Sequence, residues 1–254
     1  MWVRMLGSGT SSGVPRIGND WGDCDPDNPR NRRLRASVMV EAAGQRVLID
    51  TGPDLRQQLL AADVARIDAV IWTHDHADHT HGIDDLRQVF HARGRPTDAY
   101  ARPQALDSLR RRFAFAFDGK DGYPPSVIGH ELGPRLNLNG LAIRVVDLPH
   151  GAVTSTALRF DHGGRSFVYT TDFTDLTDEA ESLLLGVDLW IVDALRLRPH
   201  PTHPHLALTL EWVERLRPGR AILTHMDQSM DYATLAASLP EGVEPGYDGL
   251  EVEW

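Results

Sequence analysis

Thr73-His74-Asp75-His76-Ala77-Asp78-His79-Thr80-His81-Gly82 follows directly on the apolar run Ala69-Val70-Ile71-Trp72. A buried strand that ends in so dense a set of imidazoles and carboxylates reads as a metal-ligand loop. His74, His76, Asp78 and His79 are the candidate ligands. Neutral imidazole and carboxylate suit zinc, manganese or iron. His74 and His76 can reach one ion from an extended turn. Asp78 and His79 can reach a second ion once the chain enters a helix.

One loop supplies too few donors for two ions, so the remainder must come from elsewhere. Outward from the loop, other short apolar runs end in the same kind of residue. Leu141 to Val146 leads to His150, Ser166-Phe167-Val168-Tyr169 to Asp172, Leu189-Trp190-Ile191-Val192 to Asp193, and Ala221-Ile222-Leu223 to His225. His150, Asp172 and His225 are therefore expected to project from one sheet edge, with Asp172 able to bridge both ions through its two oxygens. Earlier runs, Trp2 to Leu6, Ser37 to Val40 and Arg46 to Ile49, read as strands, the last two joined as a hairpin at Ala43-Gly44. Helical spacing appears over Pro53–Ala62, Asp84–Phe90, Gln104–Phe113, Asp178–Leu185 and Leu206–Leu216. Hairpins followed by alternating strands and helices predict a layered α/β domain. No repeat or linker divides residues 1–254, so one domain is expected. The Gly- and Pro-rich stretch 117–134 reads as a loop over the domain, in a position to act as a lid.

The length, 254 residues, permits a sizeable core, and 41% apolar with 24% charged residues is ordinary for a folded domain. A net charge of −10 argues against a general nucleic-acid binder, which needs a basic face. Two arginine clusters, Arg30 to Arg35 and Arg110 to Arg112, are local exceptions able to attract a small phosphate. The single cysteine, Cys24, excludes an internal disulfide and fits a reducing compartment. With no leader pattern at the N-terminus and no apolar run of membrane-spanning length, a cytoplasmic location and no membrane partner are expected. A homodimer is compatible with the sequence.

His-x-His-x-Asp-His followed by a later His, Asp and His resembles the metallo-β-lactamase superfamily over essentially the whole chain. The resemblance implies a four-layer αββα sandwich with two divalent metal ions, zinc or manganese with iron as an option, at one edge. It implies that His74, His76 and His150 hold one ion, that Asp78, His79 and His225 hold the other, and that Asp172 bridges them. It also implies that Asp50, in Leu48-Ile49-Asp50-Thr51-Gly52, supports the ligand loop rather than binding metal.

The superfamily spans many hydrolases, and three features narrow the choice. Asp78 and Asp172 place two carboxylates in the donor set, which favours hard oxygen substrates such as phosphate esters. A histidine before the helix at Leu206 is placed to assist a leaving oxygen, and His205 is the preferred catalytic residue, with His203 the alternative. The loop Leu6-Gly7-Ser8-Gly9-Thr10-Ser11-Ser12-Gly13-Val14-Pro15, the arginine-rich segment and Gly246-Tyr247-Asp248-Gly249-Leu250-Glu251 together resemble the PhnP-type phosphodiesterases. That family includes the cyclic phosphodiesterase of the carbon–phosphorus lyase pathway. Members can carry a structural zinc, but the matching positions here are Gly22, Cys24, Asp27 and Gln228. One good ligand of four cannot close a tetrahedron, so that site is expected to be absent, its segment held instead by Trp21 packing and arginine–carboxylate pairs. The expected activity is hydrolysis of a small phosphodiester by a hydroxide shared between the ions, with Asp78 and His205 in the catalytic machinery. The alternatives are a tRNA 3′-processing endonuclease, a thioester or lactone hydrolase, and, against the complete ligand set, a non-enzymatic metal-binding module.

Overall fold

The computed structural model describes residues 1–254. Two seven-stranded sheets face one another. The first contains β1 (Trp2–Gly7), β2 (Ser37–Ala42), β3 (Gln45–Ile49), β4 (Ala69–Ile71), β5 (Thr97–Ala101), β6 (Val127–Glu131) and β14 (Glu251–Glu253), in the order β14-β1-β2-β3-β4-β5-β6. The second contains β7 (Arg135–Leu138), β8 (Leu141–His150), β9 (Val153–His162), β10 (Arg165–Thr170), β11 (Leu189–Asp193), β12 (Arg220–Thr224) and β13 (Val243–Pro245), in the order β13-β12-β11-β10-β9-β8-β7. Helices α1 (Leu55–Ala61), α2 (Ala77–Thr80), α3 (Leu86–Arg93), α4 (Pro103–Arg112) and α5 (Ala114–Asp118) interrupt the first sheet in sequence. Helices α6 (Asp178–Leu184), α7 (Leu206–Leu216) and α8 (Tyr232–Ser238) interrupt the second.

Strand alternation generates the layers. Val47 and Ile49 of β3 face the other sheet, while Leu48 between them faces the helices. Likewise Tyr169 and Ile191 turn inward, and Val168, Trp190 and Val192 turn toward their own helices. Period-two alternation of apolar side chains on both faces is what a sheet buried on both sides requires. One apolar cluster fills the space between the sheets, a second lies under Leu55, Leu59, Leu86, Val89, Leu106 and Leu109, and a third under Ala180, Leu183, Leu184, Trp212 and Leu235. The architecture is the expected αββα sandwich. No helix is long and apolar enough to cross a membrane.

The stretch 117–134 is not a loop throughout. It contains β6, paired in parallel with β5 from Thr97↔Val127 to Ala101↔Glu131. Gly and Pro mark the turn that delivers this edge strand, and the short run Val127–Glu131 lacks the apolar alternation that would have announced it.

Parallel pairing fixes where chemistry can occur. β3 and β4 run parallel, as do β10, β11 and β12. Their carboxyl ends therefore lie on one edge, the usual site of ligand binding in such sheets. Asp50, His74, Asp172, Asp193 and His225 all stand there, joined by His150 at the end of β8.

Candidate active site

Asp172 is the centre of the site. It is 2% exposed, and five imidazole Nε2 atoms converge on its carboxylate. His74 and His150 approach Oδ2 at 3.8 and 3.7 Å, and His203 approaches the same oxygen at 3.9 Å. His79 and His225 approach Oδ1 at 3.2 and 3.4 Å. Asp78 Oδ2 lies 3.3 Å from His79 Nε2 and 3.6 Å from His225 Nε2. His76, exposed at the mouth, has its Nδ1 3.3 Å from His150 Nε2. The structure thus brings together all seven residues nominated as ligands. His74, His76, His150 and Asp172 form one group of mutually close donor atoms, and Asp78, His79, Asp172 and His225 form another.

Hydrogen bonds on the far sides of the rings orient them. Asp50, fully buried, accepts from Thr73 N–H and from Thr73 Oγ1, each at 2.8 Å, and from His79 Nδ1 at 2.7 Å. Because Thr73 spends its hydroxyl proton on Asp50, its oxygen accepts from His74 Nδ1 at 3.0 Å. His150 Nδ1 donates to the Thr202 carbonyl at 3.1 Å. Each ring is left with Nε2 facing the cluster, the tautomer that metal binding needs. Asp50 thus ties Thr73 and His79, the two ends of the loop, to one carboxylate.

The buried Nε2 atoms of His74, His79 and His225 have no hydrogen-bond partner in the protein. Buried polar atoms without partners are costly and call for an explanation. Nitrogen and oxygen donors aimed at one another, without a thiolate, fit divalent cations of the zinc, manganese or iron kind. In the metal-free protein these groups share protons. Burial alone would discharge His79, but Asp172, Asp78 and Asp50 outweigh it and hold its pKa well above the usual range. Against the same burial, Asp172, Asp193 and Asp78 raise His225 to about 9. Burial and the nearby His79 push His74 well below its ordinary value.

Backbone strain accompanies the site. Asp50, Asp172 and His225 adopt φ of +63°, +54° and +58°, each within two residues of the end of a strand. Left-handed backbone in a non-glycine residue costs about 1–3 kcal/mol. At these three positions it breaks the extended backbone of the strand next to the cluster.

The histidine before α7 corrects one expectation. His203, not His205, joins the site. Its Nδ1 donates to Asp193 Oδ2 at 2.9 Å, and its ring stacks on His225 with centroids 5.0 Å apart. The reason lies in the backbone. Leu195 N–H bonds to Pro204 O and Leu206 N–H to Arg196 O, which lays residues 204–206 along the segment after β11. His203 precedes this ladder and hangs over the strand end. His205 sits within it as the residue capping α7, and no hydrogen bond, ion pair or ring contact joins it to the cluster.

Asp193 was overlooked as a functional residue. It is fully buried, and its Oδ2 also accepts the Asp172 N–H at 3.0 Å, so it holds both the central carboxylate and His203. Its position at the end of an apolar run, like that of Asp50, was the available signal.

The segment matching the family's structural zinc is tied down differently from expectation. Arg32 lies over the Trp21 ring at 5.1 Å, as foreseen. The main tie, however, is not an arginine–carboxylate pair. Arg33, 1% exposed, donates to the carbonyls of Asp227 and Met230 at 3.1 and 2.5 Å and to Cys24 Sγ at 3.7 Å. Asn31 Nδ2 donates to Asp231 Oδ2 at 2.7 Å. Gly22 packs against Gln228, and the Asp23 N–H bonds to the Gln228 carbonyl at 2.9 Å.

Comparison with known proteins identifies the family and the fold. Residues 45–226 match the β-lactamase superfamily domain family. A solved structure described as a new diphosphatase from the PhnP family superposes with a TM-score of 0.91 at 36% identity, covering 100% of this chain and 96% of that one. An octanoyltransferase from Porphyromonas gingivalis (strain ATCC BAA-308 / W83) is 33% identical over 97% of this chain. A ribonuclease Z from Bradyrhizobium sp. (strain ORS 278) is 30% identical over 52% of it. The chain spans about half the length of these two curated relatives, 50% and 46% respectively. The chain belongs to the metallo-β-lactamase superfamily and, within it, to the PhnP family.

Proposed function

We propose that this protein is a hydrolase that cleaves small phosphodiesters at a centre of two divalent cations. The observation that carries the reading is the split approach to Asp172. Its Oδ2 faces His74 and His150, and its Oδ1 faces His79 and His225. One carboxylate placed between two nitrogen-rich groups suits a bridging ligand. His74, His76, His150 and Asp172 would hold one cation, and Asp78, His79, His225 and Asp172 the other. Zinc and manganese both accept this donor set, and iron is a further option. Bound cations would supply Lewis acidity to a phosphoryl oxygen and lower the pKa of water.

The chain's own groups complete the chemistry. Asp193 holds His203 by Nδ1, so its Nε2 faces the cluster and can carry a proton for the departing oxygen. Asp50 keeps His79 and the Thr73–His74 segment in register. An acidic chain without a long basic arm favours a small substrate over RNA. A phosphoanhydride is the second reading, favoured by the PhnP-family diphosphatase at 36% identity, since attack at phosphorus needs the same groups.

The test is turnover of bis-p-nitrophenyl phosphate by metal-replete protein. His203→Ala is expected to lose about 10²–10⁴-fold in kcat at full metal content, the usual worth of a general acid, and His205→Ala to stay within about twofold. Equal effects of the two changes would remove His203 from the mechanism. Metal-independent turnover, or preference for a thioester or lactone, would remove the phosphodiesterase reading. Retention of tRNA on a filter would favour the nuclease.

A further inference from the structure

Residues 197–203 loop out from the ladder that joins Leu195 to Pro204 and Arg196 to Leu206. Arg196 fastens the first part of this loop. Its Nε donates to the Arg198 carbonyl at 3.1 Å and its Nη2 to the Pro199 carbonyl at 2.7 Å. His200, half-buried, fastens the last part. Its Nδ1 accepts the Thr202 N–H at 3.3 Å and lies 3.3 Å from Thr202 Oγ1. A side-chain acceptor bonded to the N–H two residues on is how Asn and Asp close a turn. Burial, His203 and Arg196 lower the pKa of His200. The ring is therefore kept neutral, as an Nδ1 acceptor must be.

This turn meets the centre at two places. The Thr202 carbonyl accepts from Nδ1 of His150, a nominated ligand, at 3.1 Å. Thr202 also packs on the residue after it, since a Cβ on Gly151 would stand 3.1 Å from Thr202 Cγ2. The residue that follows Thr202 is His203. Its ring meets those of His200 and His150 edge-on, with centroids 5.1 and 4.9 Å apart. Its Nε2 stands 3.9 Å from Asp172 Oδ2. Asp193 and the stacked His225 hold the His203 ring itself. The backbone that carries the ring is held through Thr202, by His200 on one side of that residue and His150 on the other.

We infer that His200 is a positioning residue for His203, because the turn it closes sets where the His203 ring stands over Asp172. The inference rests on the proposed proton transfer by His203. His200 acts through the backbone and takes no proton from the substrate. An acid must lie within hydrogen-bond reach of the oxygen it serves, so a small shift of its backbone lowers turnover without altering the acid itself. What the turn requires of residue 200 is an acceptor at the Nδ1 position, and a shorter polar side chain can supply one.

The test is a double-mutant cycle on metal-loaded protein, with turnover of bis-p-nitrophenyl phosphate and metal content measured on the same samples. His200→Ala is expected to lower kcat about tenfold, the lower end for a supporting partner, with KM within about twofold and metal content full. His200→Asn, whose Oδ1 can take the place of Nδ1 in the turn, is expected to recover most of the loss. In a His203→Ala background, His200→Ala is expected to change kcat by no more than about twofold, because two residues that act as one unit are not additive. A silent His200→Ala, a full tenfold loss in the His203→Ala background, or no recovery in His200→Asn would overturn the inference. Loss of metal in step with kcat would also overturn it, by making His200 a support for His150. A silent His203→Ala counts against the proposed function itself, whereas a silent His200→Ala beside an impaired His203→Ala counts against this inference alone.

Discussion

Asp50 and Asp193 do the same work on opposite sheets. Each ends a strand, each is fully buried, and each holds a histidine ring by Nδ1. Asp193→Asn keeps an acceptor for the Asp172 N–H but removes the charge opposite His203. Activity is expected to fall about 10–100-fold at unchanged metal content, the usual effect of a supporting partner. Loss of metal in proportion to activity would instead make Asp193 a support for Asp172 alone. The histidines also make metal uptake pH-dependent. His225, with a pKa of about 9, carries a proton at pH 7 in the metal-free protein, and His79 does so too. A ligand must be neutral, so metal binding releases protons, and apparent affinity climbs as pH rises toward 9. Titrations in buffers of different ionisation enthalpy should therefore show net proton release at pH 7; none would mean that the carboxylates do not hold these rings charged. The same shift affects stability. Folded-state protonation of His225 stabilises the metal-free protein fully below pH 6.5, and that contribution disappears as pH passes through about 9.

At the scale of elements, α4 holds the ligand loop at both ends. Ser108 and Arg112 contact the Asp75 side chain, and Arg112 also donates to the Asp75 carbonyl and contacts His81 Nε2 at 2.7 Å. The loop also packs backbone to backbone. A Cβ on Gly52 would lie 2.2 Å from the Asp78 carbonyl oxygen, so only glycine permits the approach. Arg112→Ala is expected to weaken metal binding about 10–100-fold, measured by chelator competition, with Arg112→Lys intermediate. Gly52→Ala is expected to be worse, because the obstructing atom is backbone and cannot move aside. Full metal affinity in Arg112→Ala would show that α1 and α2 hold the loop without help from α4. The elements themselves were unevenly readable. Leu206–Leu216 coincides with α7, because its apolar face is strong and local. The strands β5, β6, β7, β9, β13 and β14 were not recognised. Thr97–Ala101 and Val127–Glu131 have weak apolar character, and long-range pairing with neighbours, not local preference, makes them strands.

For the molecule as a whole, buried histidines and carboxylates tie its stability to metal. Cations that bind only the folded state stabilise it by about 2.7 kcal/mol at a hundredfold excess over Kd. For a chain of this size that is roughly 5–10 °C in Tm. Chelation should therefore lower Tm reversibly, and an unchanged Tm would mean that the groups around Asp172 satisfy one another without metal. The N-terminal segment depends on a different tie. Arg33→Ala would leave the Asp227 and Met230 carbonyls without their donor, with an expected loss of about 1–3 kcal/mol in chemical denaturation.

His74, His76, Asp78 and His79 were legible because metal binding demands donors at short spacing, and short spacing is visible in a sequence. His150, Asp172 and His225 were legible because each ends an apolar run, which places it at a strand end whatever the topology. The sequence by itself therefore determined the layered fold and which residues gather as candidate ligands. The tertiary structure alone decided three further matters: that parallel pairing brings those strand ends to one edge, that Asp193 supports the centre, and that His203 rather than His205 faces it. Two histidines two residues apart are equivalent to any local rule. The backbone ladder of residues 195–206 distinguishes them, and that ladder forms only once β11 and α7 have packed.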